Sequence, residues 1–86
     1  MKTTSITPKP NEWTPAASGG GKFMLSANVP FDLWLGDGMP EKSDVGHTLQ
    51  PGAMHPVTLG ALSAAFVRIG IGYGANARIV VTEGAL

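Results

Sequence analysis

Phe66-Val67-Arg68-Ile69-Gly70-Ile71, then Gly72-Tyr73-Gly74-Ala75-Asn76, then Ala77-Arg78-Ile79-Val80-Val81-Thr82-Glu83 is the stretch on which the reading of this chain turns. In the first run Val67, Ile69 and Ile71 alternate with Phe66, Arg68 and Gly70; in the second Ala77, Ile79 and Val81 alternate with Arg78, Val80 and Thr82. Successive side chains of an extended strand point to opposite faces, so each run can bury one face and wet the other. Gly72, Gly74 and Asn76 tolerate the positive φ that a reversal needs. The expectation is an antiparallel hairpin, with the upstream segments pairing against it or decorating it.

The upstream segments carry the same pattern. Residues 22–28 place Phe23 and Leu25 on one face and Met24 and Ser26 on the other. Residues 29–35 place Phe31, Leu33 and Leu35 inward and Asp32 and Trp34 outward, with Pro30 near the start, where a missing N–H is tolerated. Gly36 to Gly46 is broken by glycine and Pro40 and reads as a loop. Pro51-Gly52 is a turn. Residues 54–59 suit a short edge strand, because Pro56 excludes a central one. Residues 59–66 have no period that separates helix from strand; a turn at Gly60 feeding the Phe66 strand is the preferred reading. Five or six short strands and no convincing helix predict an all-β domain. The expected form is a small antiparallel β-sandwich or barrel, jelly-roll-like.

Residues 1–22 read differently. They are rich in Thr, Ser, Pro and Gly, with Ile6 and Trp13 as the only large apolar anchors. Pro8, Pro10 and Pro15 hold the residues before them extended. Two readings stand: a disordered tail, or an extended arm that pins Trp13 in a pocket on a neighbouring subunit. The expected organisation is an extended, flexible N-terminal arm over 1–22 and a β-sandwich domain over 23–86.

Composition narrows the function. Eighty-six residues make one small domain; with about the first twenty unfit for a core, the packed part is ~65 residues, and a domain of that size buries only about 60% of its unfolded surface. There is no cysteine for a disulfide staple, and no residue cluster has metal-ligand spacing. Oligomerisation is the remaining staple. The formal charge is zero, with three lysines against one glutamate in residues 1–22 and three basic against five acidic residues in 23–86. An acidic body argues against a phosphate backbone as partner. No apolar run approaches the ~20 residues of a membrane-spanning helix, and the first residues lack the apolar core of a signal peptide.

No arrangement of residues points to catalysis. His47 and His55 are the only histidines and lack ligand spacing. Gly19-Gly20-Gly21-Lys22 is followed by Phe23, where a phosphate loop needs Ser or Thr. Asp37, Glu41 and Asp44 lack the spacing of a calcium loop. No Gly-x-Ser-x-Gly elbow is present. The expectation is a protein that is not an enzyme, with no catalytic residue, cofactor or metal. The aromatic residues are the other route to function: Trp13, Trp34 and Tyr73 as a sugar-stacking platform, or Trp34 packed between sheets or subunits, which is favoured because Trp is mostly buried.

One combination is more specific than its parts. A Thr-Pro-rich start with Trp13 leads to a strand ending Leu35-Gly36-Asp37, a loop with Pro40, the turn Gly46-His47-Thr48-Leu49-Gln50-Pro51-Gly52, and the strand Ala77-Arg78-Ile79-Val80-Val81-Thr82-Glu83. Over residues 30–83 this resembles small virion proteins of tailed bacteriophages, in particular capsid decoration (cement) proteins. The resemblance implies a β-rich homo-oligomer, a trimer favoured, on the outer shell of a phage head. Its partners would be the major capsid protein or other virion subunits, with neither nucleic acid nor membrane involved. The expected interface residues are Trp13, Trp34, Phe66 and Tyr73. The alternatives are a neck, tail or fibre-adaptor subunit, or a small lectin-like carbohydrate-binding module.

Overall fold

The alternating runs are extended in the computed structural model, which describes residues 2–18, 20–41, 43–70, 72 and 77–83, residue 2 by its backbone. Among these residues eight strands form: β1 (Lys2–Ile6), β2 (Thr14–Ser18), β3 (Gly21–Ala27), β4 (Phe31–Gly36), β5 (His47–Leu49), β6 (His55–Leu59), β7 (Ala64–Arg68) and β8 (Ile79–Glu83). There is no helix among the described residues. The strands make two four-stranded antiparallel sheets, ordered β1-β8-β3-β6 and β2-β7-β4-β5.

This order has a simple origin. The chain doubles back at the β4–β5 loop, so that β4 pairs with β5, β3 with β6, β2 with β7 and β1 with β8. The doubled ribbon then folds over itself, adding the β3–β8 and β4–β7 ladders and sending successive ribbon pairs to opposite sheets. That is the jelly-roll arrangement, an all-β sandwich with open edges rather than a closed barrel. Long-range registers follow, with Lys2 opposite Glu83 and Ile6 opposite Ile79.

The inward faces meet in one core. Phe23, Leu25, Leu59, Ile79 and Val81 come from the first sheet, and Phe31, Leu33, Ala65 and Val67 from the second, with Ile69 and Ala77 just beyond the strands. Burying one such large apolar side chain is worth about 1.5–3 kcal/mol. No polar or charged residue is fully buried among the described residues.

Three expectations change. The Phe66–Glu83 segment is not a hairpin: β7 pairs with β2 and β4, whereas β8 pairs with β1 and β3. Alternation reports which face of a strand is buried, and both runs obey it, but their apolar faces meet across the interior instead of side by side. Residues 71 and 73–76 of the expected turn lie outside the described residues. Second, residues 1–22 are not an arm lying outside the sandwich. They supply β1, β2 and the start of β3, one edge strand to each sheet. Between β1 and β2 the chain crosses from one sheet to the other, where the Asn11 N–H donates to the Ile69 carbonyl at 2.7 Å, with Asn11 at φ 59°. Third, Leu35 is not interior: it sits at the rim, 42% exposed.

Because β1 and β2 complete both sheets, a chain lacking residues 1–18 is expected to lose its cooperative thermal transition, followed by circular dichroism. An arm outside the sandwich would leave that transition in place.

Candidate functional site

The outward face of the second sheet carries a small aromatic and charged cluster. In β4 the outward positions are Asp32 and Trp34; in β7 they are Phe66 and Arg68, and the register sets Asp32 beside Arg68 and Trp34 beside Phe66. Asp32 accepts from Arg68 Nη2 at 3.2 Å through Oδ2, and from the Thr48 hydroxyl of β5 at 2.9 Å through Oδ1. The carboxylate thereby ties three neighbouring strands together on one face. The guanidinium lies over the indole of Trp13, 4.3 Å from the ring centroid. Stacking of this kind contributes about 0.5–2 kcal/mol. Trp13 and Trp34 approach at 6.2 Å between centroids with planes tilted by 60°.

Trp13 is what brings the β4–β5 loop onto this face. Its indole N–H donates to the Glu41 carbonyl at 3.2 Å. The same carbonyl accepts from the Asp44 N–H at 3.0 Å, and the Asp44 carboxylate accepts from the Glu41 N–H at 2.8 Å. Glu41 and Asp44 are thus tied to each other by two hydrogen bonds and anchored to the sheet through one indole. Pro40 is buried beside it. Gly46 brings the chain back: a Cβ there would sit 2.5 Å from the Leu33 carbonyl oxygen and 2.8 Å from Trp13 Cη2, so only glycine passes.

The anchored loop presents an apolar surface. Met39 is 60% and Val45 81% exposed, next to Leu35. Two open grooves run along half-buried Trp34. One, of about 300 Å³, is bordered by Leu35, Val45 and His47; the other, of about 550 Å³, by Leu35, Met39, Asp37, Glu41 and Asp44. Leu62, 88% exposed, lies at the same end of the sandwich, since Ala64 two residues on pairs with Gly36 at the end of β4.

The residues expected at an interface are therefore placed unequally. Trp13 (8% exposed) and Phe66 (7%) are covered within the subunit, the first by Arg68 and the loop, the second between Pro15 and Trp34 in the ladder. Trp13 packs against its own chain rather than reaching a neighbour's pocket. Trp34 borders both grooves, and Tyr73 lies outside the described residues. The histidines are apart in role: His55 makes an Nε2 contact with the Gln50 carbonyl oxygen at 3.1 Å and meets the Phe31 ring edge-on, whereas His47 is exposed at the groove. Sequence reading missed Arg68 as the link between Trp13 and Asp32. The available signal was a single cation in an outward position of an apolar strand. Leu35, Met39 and Val45 were missed because exposure of an apolar side chain leaves no mark in a pattern.

No family model, curated protein or solved structure matches this chain.

Gly46→Ala is expected to destabilise the fold by about 1–3 kcal/mol in urea unfolding, because neither the backbone of Leu33 nor the wedged indole can yield freely. Trp13→Phe keeps one aromatic ring but loses the bond to Glu41, about 0.5–1.5 kcal/mol, and also the packing of the indole's second ring, so a larger loss is expected in the same unfolding measurement.

Proposed function

We propose that this chain is a structural subunit of a tailed-bacteriophage virion, a decoration (cement) protein that binds the outer shell of the head and stabilises it. The observation that carries the reading is the apolar end of the sandwich, where Leu35, Met39 and Val45 surround the Trp34 grooves on a loop pinned by Trp13. Contiguous exposed apolar side chains rimmed by polar ones mark a docking surface. The rim is Asp37, Glu41 and Asp44. Of the sequence features that resemble virion proteins, Leu35-Gly36-Asp37 and Gly46-His47 border these grooves, whereas Pro40 is buried beside them and Thr48 to Gly52 leads away along β5. A loop already held by hydrogen bonds at Glu41 and Asp44 has less conformational freedom to lose when it docks, which favours binding by a small subunit.

In this reading the docking face is the β4–β5 end of the sandwich, not an N-terminal arm. The partner is the major capsid protein or another virion subunit, and the subunit acts as a homo-oligomer whose several copies of the face raise avidity. A lectin-like module is the second reading, favoured by one observation: Trp34 stands beside a groove flanked by carboxylates that can accept sugar hydroxyls.

Co-sedimentation with phage heads that lack the protein tests the proposal. Wild type is expected to pellet with heads. The triple change Leu35→Ser, Met39→Ser and Val45→Ser is expected to lower that binding at least tenfold while the melting temperature moves little, since all three side chains are exposed. Absence of binding by the wild type, with retention on a glycan array that Trp34→Ala abolishes, would transfer the assignment to the lectin-like reading.

A further inference from the structure

Among the described residues the two sheets leave four edges, and they are not alike. β6 carries Pro56, which cannot donate to a further strand. β2 carries Pro15 and a register shift between Pro15 and Ala17. β5 is only three residues long. Proline, bulges and shortness are among the devices by which sheets keep their edges from pairing, and an edge lysine is another. β1, Lys2-Thr3-Thr4-Ser5-Ile6, has none of the first three and carries its one lysine at the first position: it is five residues long, in unbroken register with β8, with Thr3, Thr4 and Ser5 exposed.

We propose that β1 is an assembly edge and that its occupant is β1 of a second copy of this chain, joined antiparallel about a two-fold axis at Thr4. The choice of occupant follows from the edge inventory. A head-to-tail contact between copies needs two different receptive edges, and the other three are blocked, so between copies of this chain the open edge can meet only itself. Self-pairing of this kind closes at two copies, where the resemblance to decoration proteins implies a trimer.

The register is also self-complementary. With Thr4 opposite its own copy, Thr3 falls opposite Ser5 and position 2 opposite Ile6, so the two Lys2 positions are kept apart. Thr3 belongs to the outward face of the sheet, where its hydroxyl lies 3.0 Å from that of Thr82. Thr3 and Ser5 of the two copies would extend this row of hydroxyls, and paired hydroxyl side chains stabilise neighbouring strands. Ile6 lies on the inner face, half-buried against the core. Pairing makes one continuous eight-stranded sheet and completes the backbone hydrogen bonds of β1. The inference concerns how copies of the chain join and does not depend on what the β4–β5 end binds.

Light scattering across a dilution series reads the stoichiometry; a mass of about twice the 8.9 kDa chain is expected. Because the chain has no cysteine, a single introduced thiol reports on one contact. Thr4→Cys, treated with a short bismaleimide, is expected to run as a covalent dimer, while Thr58→Cys on the β6 edge stays a single chain. Thr4→Lys opposes two ammonium groups across the axis and is expected to weaken the dimer at least tenfold, with circular dichroism showing the fold retained. A monomer or trimer in solution overturns the proposal. A dimer in which Thr4→Cys does not cross-link also overturns it, because the contact would then lie elsewhere.

Discussion

The fold depends on pairing strands from opposite ends of the chain. Each strand of the first half has its partner at the mirror position of the second half, so the β1–β8 ladder sets Lys2 against Glu83 while the β4–β5 ladder needs only the intervening loop. Folding the doubled ribbon over converts a row of half-buried strands into two inward faces that cover one another. Leu25, Ile79 and Val81 on one side and Phe31 and Val67 on the other are then almost wholly removed from water. Neither half can bury its apolar face alone. Topologies dominated by such non-local pairs fold slowly, because chain entropy is lost before the contacts that offset it are made.

The second organising interaction is local to the outside of one sheet. An apolar core between sheets leaves the outward faces for polar groups, yet here the outward face of β4 and β7 carries two large aromatics and an ion pair. Trp13 converts that face into a small second cluster by lying under Arg68 and over the loop backbone. The consequence is a loop with defined shape at the point where the ribbon turns. Its apolar side chains are left outside because the cluster beneath is already filled.

As proposed, assembly and docking fall to different parts of the molecule. The β4–β5 end offers side chains, namely apolar groups with acidic neighbours. The β1 edge offers main-chain donors and acceptors. A subunit built this way can join its own copy through one edge without covering the surface that meets another partner.

Much of this was legible in the residues. The recurrence at every second position of Phe23 and Leu25, Phe31 and Leu33, Val67 and Ile69, and Ile79 and Val81 marked extended segments and their buried faces, and Pro56 marked an edge, because side-chain direction and the missing N–H are properties of each residue itself. The turns at Gly52 and Gly60 were legible for the same reason, since local backbone preference suffices. β1 and β2 were not: Thr, Ser, Pro and Ala carry no strong period, and they become strands only because β8 and β7 present ladders to them. Nor were the separate sheets of β7 and β8, the burial of Trp13 or the exposure of Leu35. The residues by themselves determined which segments extend and which faces seek cover. Tertiary structure alone decided which strands pair and what covers each face, because hydrogen-bond partners and packing partners lie far apart in the chain and the main-chain groups that choose them are the same in every residue but proline.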